Sequence, residues 1–245
     1  MQRIQHRRRA CARPLSLHRI KGAGMAEFII VTPVAILLTF CLIQAGLLYM
    51  AKLTLNNAVF MAARHGATEH AQRSAIKESL IKGLLPFYVN ALDFKGSEVS
   101  SLVAARIKAE LDYQLYTTLE ILSPSAEAFR VYGLKDKNNR TYIPNDNLEF
   151  RTATPVNGAS ISLRDANVLR IKVTYGYELK VPLMKAIVSR VMCPLMSSDS
   201  EVTAWKKPSV LGQSSASDCV RYYLQGRVPI VSFATVQMHT DPRPN

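Results

Sequence analysis

The first 22 residues of this chain contain no aspartate or glutamate, although they contain seven lysines and arginines. The stretch Phe28–Ala51 has no charged residue of either sign over 24 positions. A bilayer-spanning helix needs roughly 20 predominantly apolar residues, so this stretch is long enough to cross a membrane with some tilt. The missing charges exclude an ordinary soluble domain for this part of the chain and predict one membrane-spanning helix behind a basic leader.

Sequence motifs of common enzymes are also lacking. There is no H-E-x-x-H, no G-x-x-x-x-G-K-[ST], no G-x-S-x-G and no C-x-x-C. The five histidines are not grouped with other metal-ligand types at a ligand spacing, and they are His6, His18, His65, His70 and His239. We therefore expect that the protein is not an enzyme, with no catalytic residues, no metal site and no cofactor.

The net charge of +13 does not indicate a nucleic-acid-binding protein. Seven of these charges lie in residues 1–22, which leaves a net charge of +6 on residues 23–245. The remaining cations are scattered, without the basic stripe interleaved with aromatic residues that a nucleic-acid groove needs. We expect no nucleic-acid partner.

The one-sided charge of the leader predicts the orientation of the span. By the positive-inside rule, the N-terminus is cytoplasmic and the chain after Lys52 lies on the far side of the membrane. A secretory signal peptide would have a shorter apolar core, of roughly 7–15 residues, and a small-residue exit site. A mitochondrial transit peptide before a single span, or a plain membrane anchor, fits the leader but does not explain the junction that follows it.

That junction reads Gly22-Ala23-Gly24-Met25-Ala26-Glu27. An acidic residue costs roughly 2.5–3.5 kcal/mol at mid-bilayer and less at the interface, so Glu27 calls for an explanation. A glycine followed five residues later by Glu, then by an aromatic residue and an apolar helix, resembles the type IV prepilin processing site. The resemblance implies that a prepilin peptidase cuts after Gly22, so that Ala23 becomes the new N-terminus. Gly24 offers a competing register.

Residues 21–67 resemble, more narrowly, the TadE-like pseudopilins of tight-adherence (Flp pilus) systems. The features shared are Glu27-Phe28, Pro33 within the span, Leu48-Tyr49 ahead of Lys52, and the run from Asn56 to Ala67. The resemblance implies a minor pseudopilin that helps to assemble a Flp-type pilus. It also implies that Glu27 and Phe28 act in assembly, because the corresponding Glu in prepilin-like families meets the amine of a neighbouring subunit.

The resemblance further implies the partners and the location of the protein. The partners are the prepilin peptidase, the major Flp pilin and other pseudopilins, the inner-membrane platform proteins, the secretion ATPase and membrane lipid. The chain would cross the bacterial inner membrane once, with its C-terminal domain in the periplasm. The alternative is a membrane-anchored periplasmic domain that binds a partner and never enters a filament.

The hydrophobic pattern predicts an α+β fold, in which a long N-terminal transmembrane helix precedes a periplasmic domain of helices packed on an antiparallel sheet. The predicted domains are the leader (1–22), the helix with its periplasmic extension (23–66) and the periplasmic domain (67–245). Helices are expected over about Ala23–His65, Ala71–Val89 and Ser97–Leu115. Strands are expected over Leu169–Tyr175, with a bulge at Gly176, over Val228–Val236 and, more weakly, over Thr118–Leu122 and Leu148–Ala153. Exposed loops are expected over Lys135–Asn147 and Ser197–Asp218.

Two further expectations concern single side chains. Gln44, within the span, is a mildly polar position suited to helix–helix contact. Cys193 and Cys219 are the two cysteines of the outer portion, and an even pair in an oxidising compartment predicts a disulfide, with two free thiols as the alternative. Closing this loop of 27 residues would stabilise the fold by roughly 3.5 kcal/mol in the chain-entropy model.

Overall fold

The computed structural model describes residues 23–89, 98–151, 154–156, 161–193 and 216–244. The chain forms two compact units, Met1–Phe40 and Cys41–Asn245. One helix, α1 (Ala23–Thr68), contains the boundary between the two units. The C-terminal unit therefore includes the second half of α1, and the predicted helix over about Ala23–His65 is confirmed.

Apart from Glu27 near its start, the part of α1 in the first unit is apolar on all sides. Its exposed large apolar residues are Met25, Phe28, Ile29, Ile30, Val31, Val34, Ile36, Leu37 and Leu38. A helix that is apolar all round is suited to a membrane rather than to water, and α1 is long and apolar enough to span one. Pro33 lies inside this helix. The Thr39 hydroxyl donates a hydrogen bond to the Ala35 carbonyl at 2.8 Å, so this hydroxyl has an acceptor within its own apolar helix.

The second unit adds six helices among the described residues. They are α2 (Arg73–Leu84), α3 (Glu98–Tyr116), α4 (Ala126–Tyr132), α5 (Leu163–Ala166), α6 (Met184–Met192) and α7 (Ala216–Arg221). The 3-10 turn Leu85–Phe87, which contains Pro86, follows α2 directly. Serine side chains cap α4 and α5, where Ser125 accepts from the Ala128 N–H and Ser162 accepts from the Asp165 N–H. The second and third predicted helices are confirmed as α2 and α3.

A three-stranded antiparallel sheet lies at the centre of this unit. Its strands are β1 (Thr117–Ser123), β4 (Val168–Glu178) and β5 (Arg227–Gln237), in the order β1-β4-β5. A separate small hairpin joins β2 (Leu134–Lys135) to β3 (Thr141–Tyr142). The strands predicted near residues 118, 169 and 228 are confirmed, and the α+β fold class is confirmed with them.

Helices α1 and α2 cover one face of the sheet and form its core. The buried side chains include Leu55, Val59, Ala62 and Ala63 of α1, Ile76, Leu80 and Leu84 of α2, and Leu169, Ile171 and Val173 of β4. Each fully buried aliphatic side chain of this kind stabilises the fold by roughly 1.5–3 kcal/mol. Gly83 permits close packing of the two helices, because a Cβ at this position would lie 2.7 Å from the Cβ of Ala58.

The predicted bulge at Gly176 is wrong. Gly176 pairs with Pro229, and the ladder continues without interruption to the pair Glu178–Arg227. The register shifts instead between Ile121 and Ser123. Gly176 serves a close contact, because a Cβ there would lie 2.8 Å from the Tyr222 ring.

One further prediction is wrong, and another is confirmed only in part, since residues 135–140 are exposed as expected. Leu148–Ala153 was expected to be a strand, but Leu148–Phe150 forms a 3-10 turn, which follows Asn147 in the left-handed region at φ +55°. The loop predicted over Lys135–Asn147 contains β3 and the fully buried Ile143, whose N–H bonds the Pro242 carbonyl at 3.0 Å. Tertiary contacts, rather than local composition, therefore order this segment. Most of the loop predicted over Ser197–Asp218 lies outside the described residues, and its end belongs to α7.

Candidate functional site

The residues predicted to act in processing and assembly lie at the start of α1. The helix begins at Ala23, and Gly22 lies outside the described residues. Glu27 is exposed four positions later, about 6 Å along the axis from Ala23, and Phe28 beside it is 70% exposed. Among the described residues, none forms a hydrogen bond or an ion pair with the Glu27 carboxylate. Both side chains are therefore accessible to groups outside the described chain.

In the second unit, α1 has two different apolar faces. One face is buried against the sheet and α2. The other is exposed and includes Leu42, Ile43, Tyr49, Met50, Leu53, Phe60 and Met61, which we call the outer stripe. Leu55 and Val59 lie on the buried face, whereas Leu53 and Phe60 lie on the outer stripe. The spacing of three, four and seven residues along the outer stripe is that of a helix-packing surface.

Polar contacts fix the rotation of α1 and so decide which face is exposed. The Gln44 Oε1 atom accepts a hydrogen bond from the Val181 N–H at 3.1 Å. The Asn56 Oδ1 atom accepts from the Ser232 hydroxyl at 2.8 Å, and the Lys52 ammonium donates to the Val231 carbonyl. The predicted role of Gln44 in helix–helix contact is wrong, since this side chain is 4% exposed and bonds within its own unit.

Four side chains form a hydrogen-bonded cluster that the sequence did not reveal. The Arg227 guanidinium pairs with the Asp112 carboxylate at 3.0 and 3.2 Å. The Tyr88 hydroxyl donates to the same carboxylate at 2.7 Å and lies 2.8 Å from the Tyr175 hydroxyl. The four residues come from separate elements far apart in sequence, so no local spacing signals the cluster.

The cluster borders an open pocket of about 440 Å³, but its groups already bond to one another. Arg227 also donates to the Gly176 carbonyl at 2.9 Å, and its guanidinium lies 3.8 Å from the centre of the Tyr116 ring. Phe87 stacks on Tyr175 with the ring centres 5.5 Å apart. The arrangement joins the end of α2 to α3, β4 and β5, and its role is to hold these elements together.

The cluster predicts a loss of stability at high pH. Burial raises the pKa of Tyr175 from 10.0 to about 12, and burial also raises the pKa of Tyr88. A tyrosine with a raised pKa in the folded state stabilises the fold fully below pH 10 and loses that contribution as the pH rises through its folded pKa. This rise in the pKa of Tyr175 is equivalent to at most about 2.7 kcal/mol of the free energy of unfolding.

We therefore expect the thermal unfolding midpoint of the detergent-solubilised protein, followed by circular dichroism, to fall between pH 10 and 12. Tyr175→Phe removes one of the titrating groups and should make this fall shallower. An equally steep fall in the variant would show that Tyr175 does not contribute to it.

The predicted disulfide is present and joins two helices of the second unit. Cys193 and Cys219 are bonded, with their Cα atoms 5.7 Å apart. The bridge connects the end of α6 to α7 and packs against Tyr223. Cys41 is a free thiol, and its sulfur lies 3.9 Å from the sulfur of Met184.

Comparison with known protein families identifies the N-terminal part of the chain. Residues 22–64 match the family model of TadE-like proteins. The chain carries a TadE-like segment. The match covers the predicted processing residues and most of α1, and it confirms the resemblance seen over residues 21–67. No curated protein sequence and no solved structure matches the chain.

The TadE-like segment spans both parts of α1 and ends four residues before the helix does. It therefore contains Glu27, Phe28 and the whole of the outer stripe. The sheet, the polar cluster and the disulfide lie in the part of the chain beyond the match.

Proposed function

We propose that the protein is a minor pseudopilin that acts in the assembly of a Flp-type (tight-adherence) pilus. The observation that carries this proposal is the TadE-like match, which begins at residue 22 where the processing site was predicted. Two features of α1 support it. Glu27 is exposed near the start of the helix, and the outer stripe gives a second helix a surface on which to pack.

In the proposed sequence of events, the protein is first inserted into the bacterial inner membrane. The basic leader stays in the cytoplasm, α1 crosses the bilayer once, and the second unit lies in the periplasm. A prepilin peptidase removes the leader after Gly22 and exposes the amine of Ala23. The mature helix then leaves the lipid and joins other pilin helices, so that its apolar surface passes from one apolar environment to another.

In this proposal the protein catalyses no reaction. Its partners are the prepilin peptidase, the major Flp pilin, the other pseudopilins and the platform proteins that move pilins out of the membrane. The internally bonded cluster of Tyr88, Asp112, Tyr175 and Arg227 supports a structural role for the second unit. The disulfide Cys193–Cys219 supports an oxidising compartment such as the periplasm.

Purified filaments test the proposal. We expect mass spectrometry of sheared, purified pili to contain peptides of this chain at a small fraction of the major pilin, and deletion of the gene to reduce the number of pili. A chain that is present in the membrane but absent from filaments, in a deletion strain with a normal number of pili, would favour a membrane-anchored binding domain instead. Protease treatment of spheroplasts serves as the control for orientation, since the second unit should then be digested.

A further inference from the structure

Two contacts show that α1 and β5 run in the same direction through the second unit. Asn56 contacts Ser232, and the Ala67 carbonyl accepts from the His239 N–H at 3.0 Å. Between these contacts α1 rises about 16 Å, while β5 and the two residues after it advance about 23 Å, so both progress toward the same end of the unit. The start of β5 therefore lies at the end of the unit where Cys41 is found.

The segment after β4 returns to the same end. Val181 bonds Gln44, and Met184, the first residue of α6, contacts Cys41. Cys41 follows Phe40 directly, and the uncharged stretch continues on both sides of it. Helix α6 is thus held beside the residues at which the chain enters the unit from its apolar span.

This end of the unit carries exposed apolar side chains. Leu183, Val191, Val220 and Leu224, together with the exposed cations Lys185 and Arg190, form what we call the end face. Val188 and Met192 of α6 pack around the disulfide. These contacts hold α6 against α7, which contains Val220, and against the 3-10 turn that contains Leu224. Leu183 is held exposed at φ +69°, a conformation uncommon for a residue other than glycine.

The charges of the end face favour an anionic partner. Lys185 pairs with Glu178 at 3.0 Å, and Lys180 lies 3.7 Å from the same carboxylate. The end-face cations Lys185 and Arg190, with Lys180 beside Glu178, therefore outnumber this acid. Helices that lie along a bilayer surface combine apolar residues, which enter the acyl boundary, with lysine and arginine, which contact lipid phosphates.

We propose that the end face rests on the surface of the anionic phospholipid bilayer that α1 crosses, with α6 lying along the interface. Of the proposed function, this inference uses only the statement that α1 spans a membrane. Leu183 and Val191 enter the acyl boundary, while Arg190 contacts headgroup phosphate. The contact fixes the height of the second unit above the membrane before the chain is drawn into a pilus, and extraction of α1 breaks it.

Quenching by brominated lipid tests the contact in the full-length chain. The single tryptophan of the chain is first removed by the substitution Trp205→Phe. Val191→Trp, at a position that is 65% exposed, then reports on the end face in nanodiscs whose phosphatidylglycerol and phosphatidylcholine carry brominated acyl chains. Phe150→Trp is the matched control, because Phe150 is 89% exposed and lies in the segment tied through Ile143 to Pro242, beyond the opposite end of β5.

We expect the tryptophan at position 191 to be blue-shifted and to lose most of its fluorescence, and the tryptophan at position 150 to lose none. Arg190→Glu and pure phosphatidylcholine discs should each reduce the quenching at position 191. Equal emission from the two positions would overturn the proposal. A blue shift without quenching would show that protein, from the same chain or from another chain in the disc, covers the end face in place of lipid.

A separate measurement distinguishes this inference from the proposed function. Carbonate extraction of native membranes reports whether α1 is inserted at all. An inserted chain whose position 191 is not quenched overturns the membrane contact alone. A chain that carbonate releases overturns the span, and with it both proposals.

Discussion

Replacing Gly22 by valine is expected to leave the precursor uncleaved. The TadE-like match starts at this residue, and α1 begins at the next one. A β-branched side chain next to the scissile bond would obstruct a peptidase pocket that accepts glycine, and it would also restrict the backbone there. The expected result is accumulation of the full-length chain, which intact-mass measurement of membrane extracts separates from a chain that begins at Ala23.

Gly24→Val is the matched control, because it places the same side chain at the competing position. It should leave the cut after Gly22 in place. N-terminal sequencing of the wild-type protein decides the register independently. A mature chain that begins at Met25, or a Gly22→Val precursor that is cut normally, would contradict the assignment.

Loss of cleavage should also abolish assembly, since two requirements fail together. The uncut chain keeps seven cations next to the span, and their transfer out of the cytoplasm with the helix is strongly unfavourable. It also lacks the free α-amine at Ala23. We therefore expect no Gly22→Val chain in purified filaments, although its membrane insertion should be normal.

The features predicted correctly from the sequence are those encoded in local periodicity. The 24-residue uncharged stretch predicted the first part of α1, which belongs to a helix long and apolar enough to span a membrane. The alternation through Leu169, Ile171 and Val173 predicted the central strand, which is fully buried at these positions. Cys193 and Cys219 predicted the disulfide because they are the two cysteines of the outer portion of the sequence. The helix and strand signals act within a few turns or along one strand, so they do not depend on contacts with the rest of the chain.

The features that were missed depend on contacts between distant parts of the chain. Gly176 suggested a bulge, but its lack of a side chain makes room for Tyr222, some 46 positions away. The bonds from Arg227 to Asp112 connect residues 115 positions apart, a separation that no local pattern encodes. Burial of Ile143 likewise depends on a carbonyl near the C-terminus.

The outer stripe of α1 shows the same limit within one helix. The sequence of α1 is apolar almost all round, so periodicity alone did not separate the face that covers the sheet from the face that remains exposed. The bonds made by Gln44, Lys52 and Asn56 set the rotation, and they depend on Val181, Val231 and Ser232. The outer stripe is thus defined by the docking of the second part of α1 onto its own unit.

Glu27→Ala is expected to abolish piliation while sparing insertion and cleavage. Removing a carboxylate from the edge of the span makes insertion easier, and the cleaved bond lies five residues away. The α-amine that cleavage creates at Ala23 has an ordinary pKa of about 7.7–8.0, so it is largely cationic at neutral pH. An incoming helix must bury this cation among apolar side chains, and a carboxylate on its neighbour can neutralise it.

The size of the expected effect follows from this pairing. Two unit charges about 4 Å apart attract by about 4 kcal/mol at an effective dielectric constant of 20, equivalent to roughly a thousandfold in an equilibrium constant. Removing one partner of a buried pair also leaves the other uncompensated, at a cost of about 3–5 kcal/mol. The exposed position of Glu27, with no partner among the described residues, leaves its carboxylate accessible to the amine of another chain.

Pili counted by electron microscopy, together with co-purification of the major pilin, measure the outcome. Glu27→Gln keeps the shape of the side chain without its charge and should behave like Glu27→Ala. Glu27→Asp keeps the charge on a shorter side chain and should retain part of the piliation. Thr39→Ala is a control for a polar change elsewhere in the span, because within the described part of the chain its hydroxyl bonds only the Ala35 carbonyl of its own helix. Normal pilus numbers in the Gln and Ala variants would show that the charge of Glu27 is not used in assembly, and would favour a chain that stays in the membrane as an anchor.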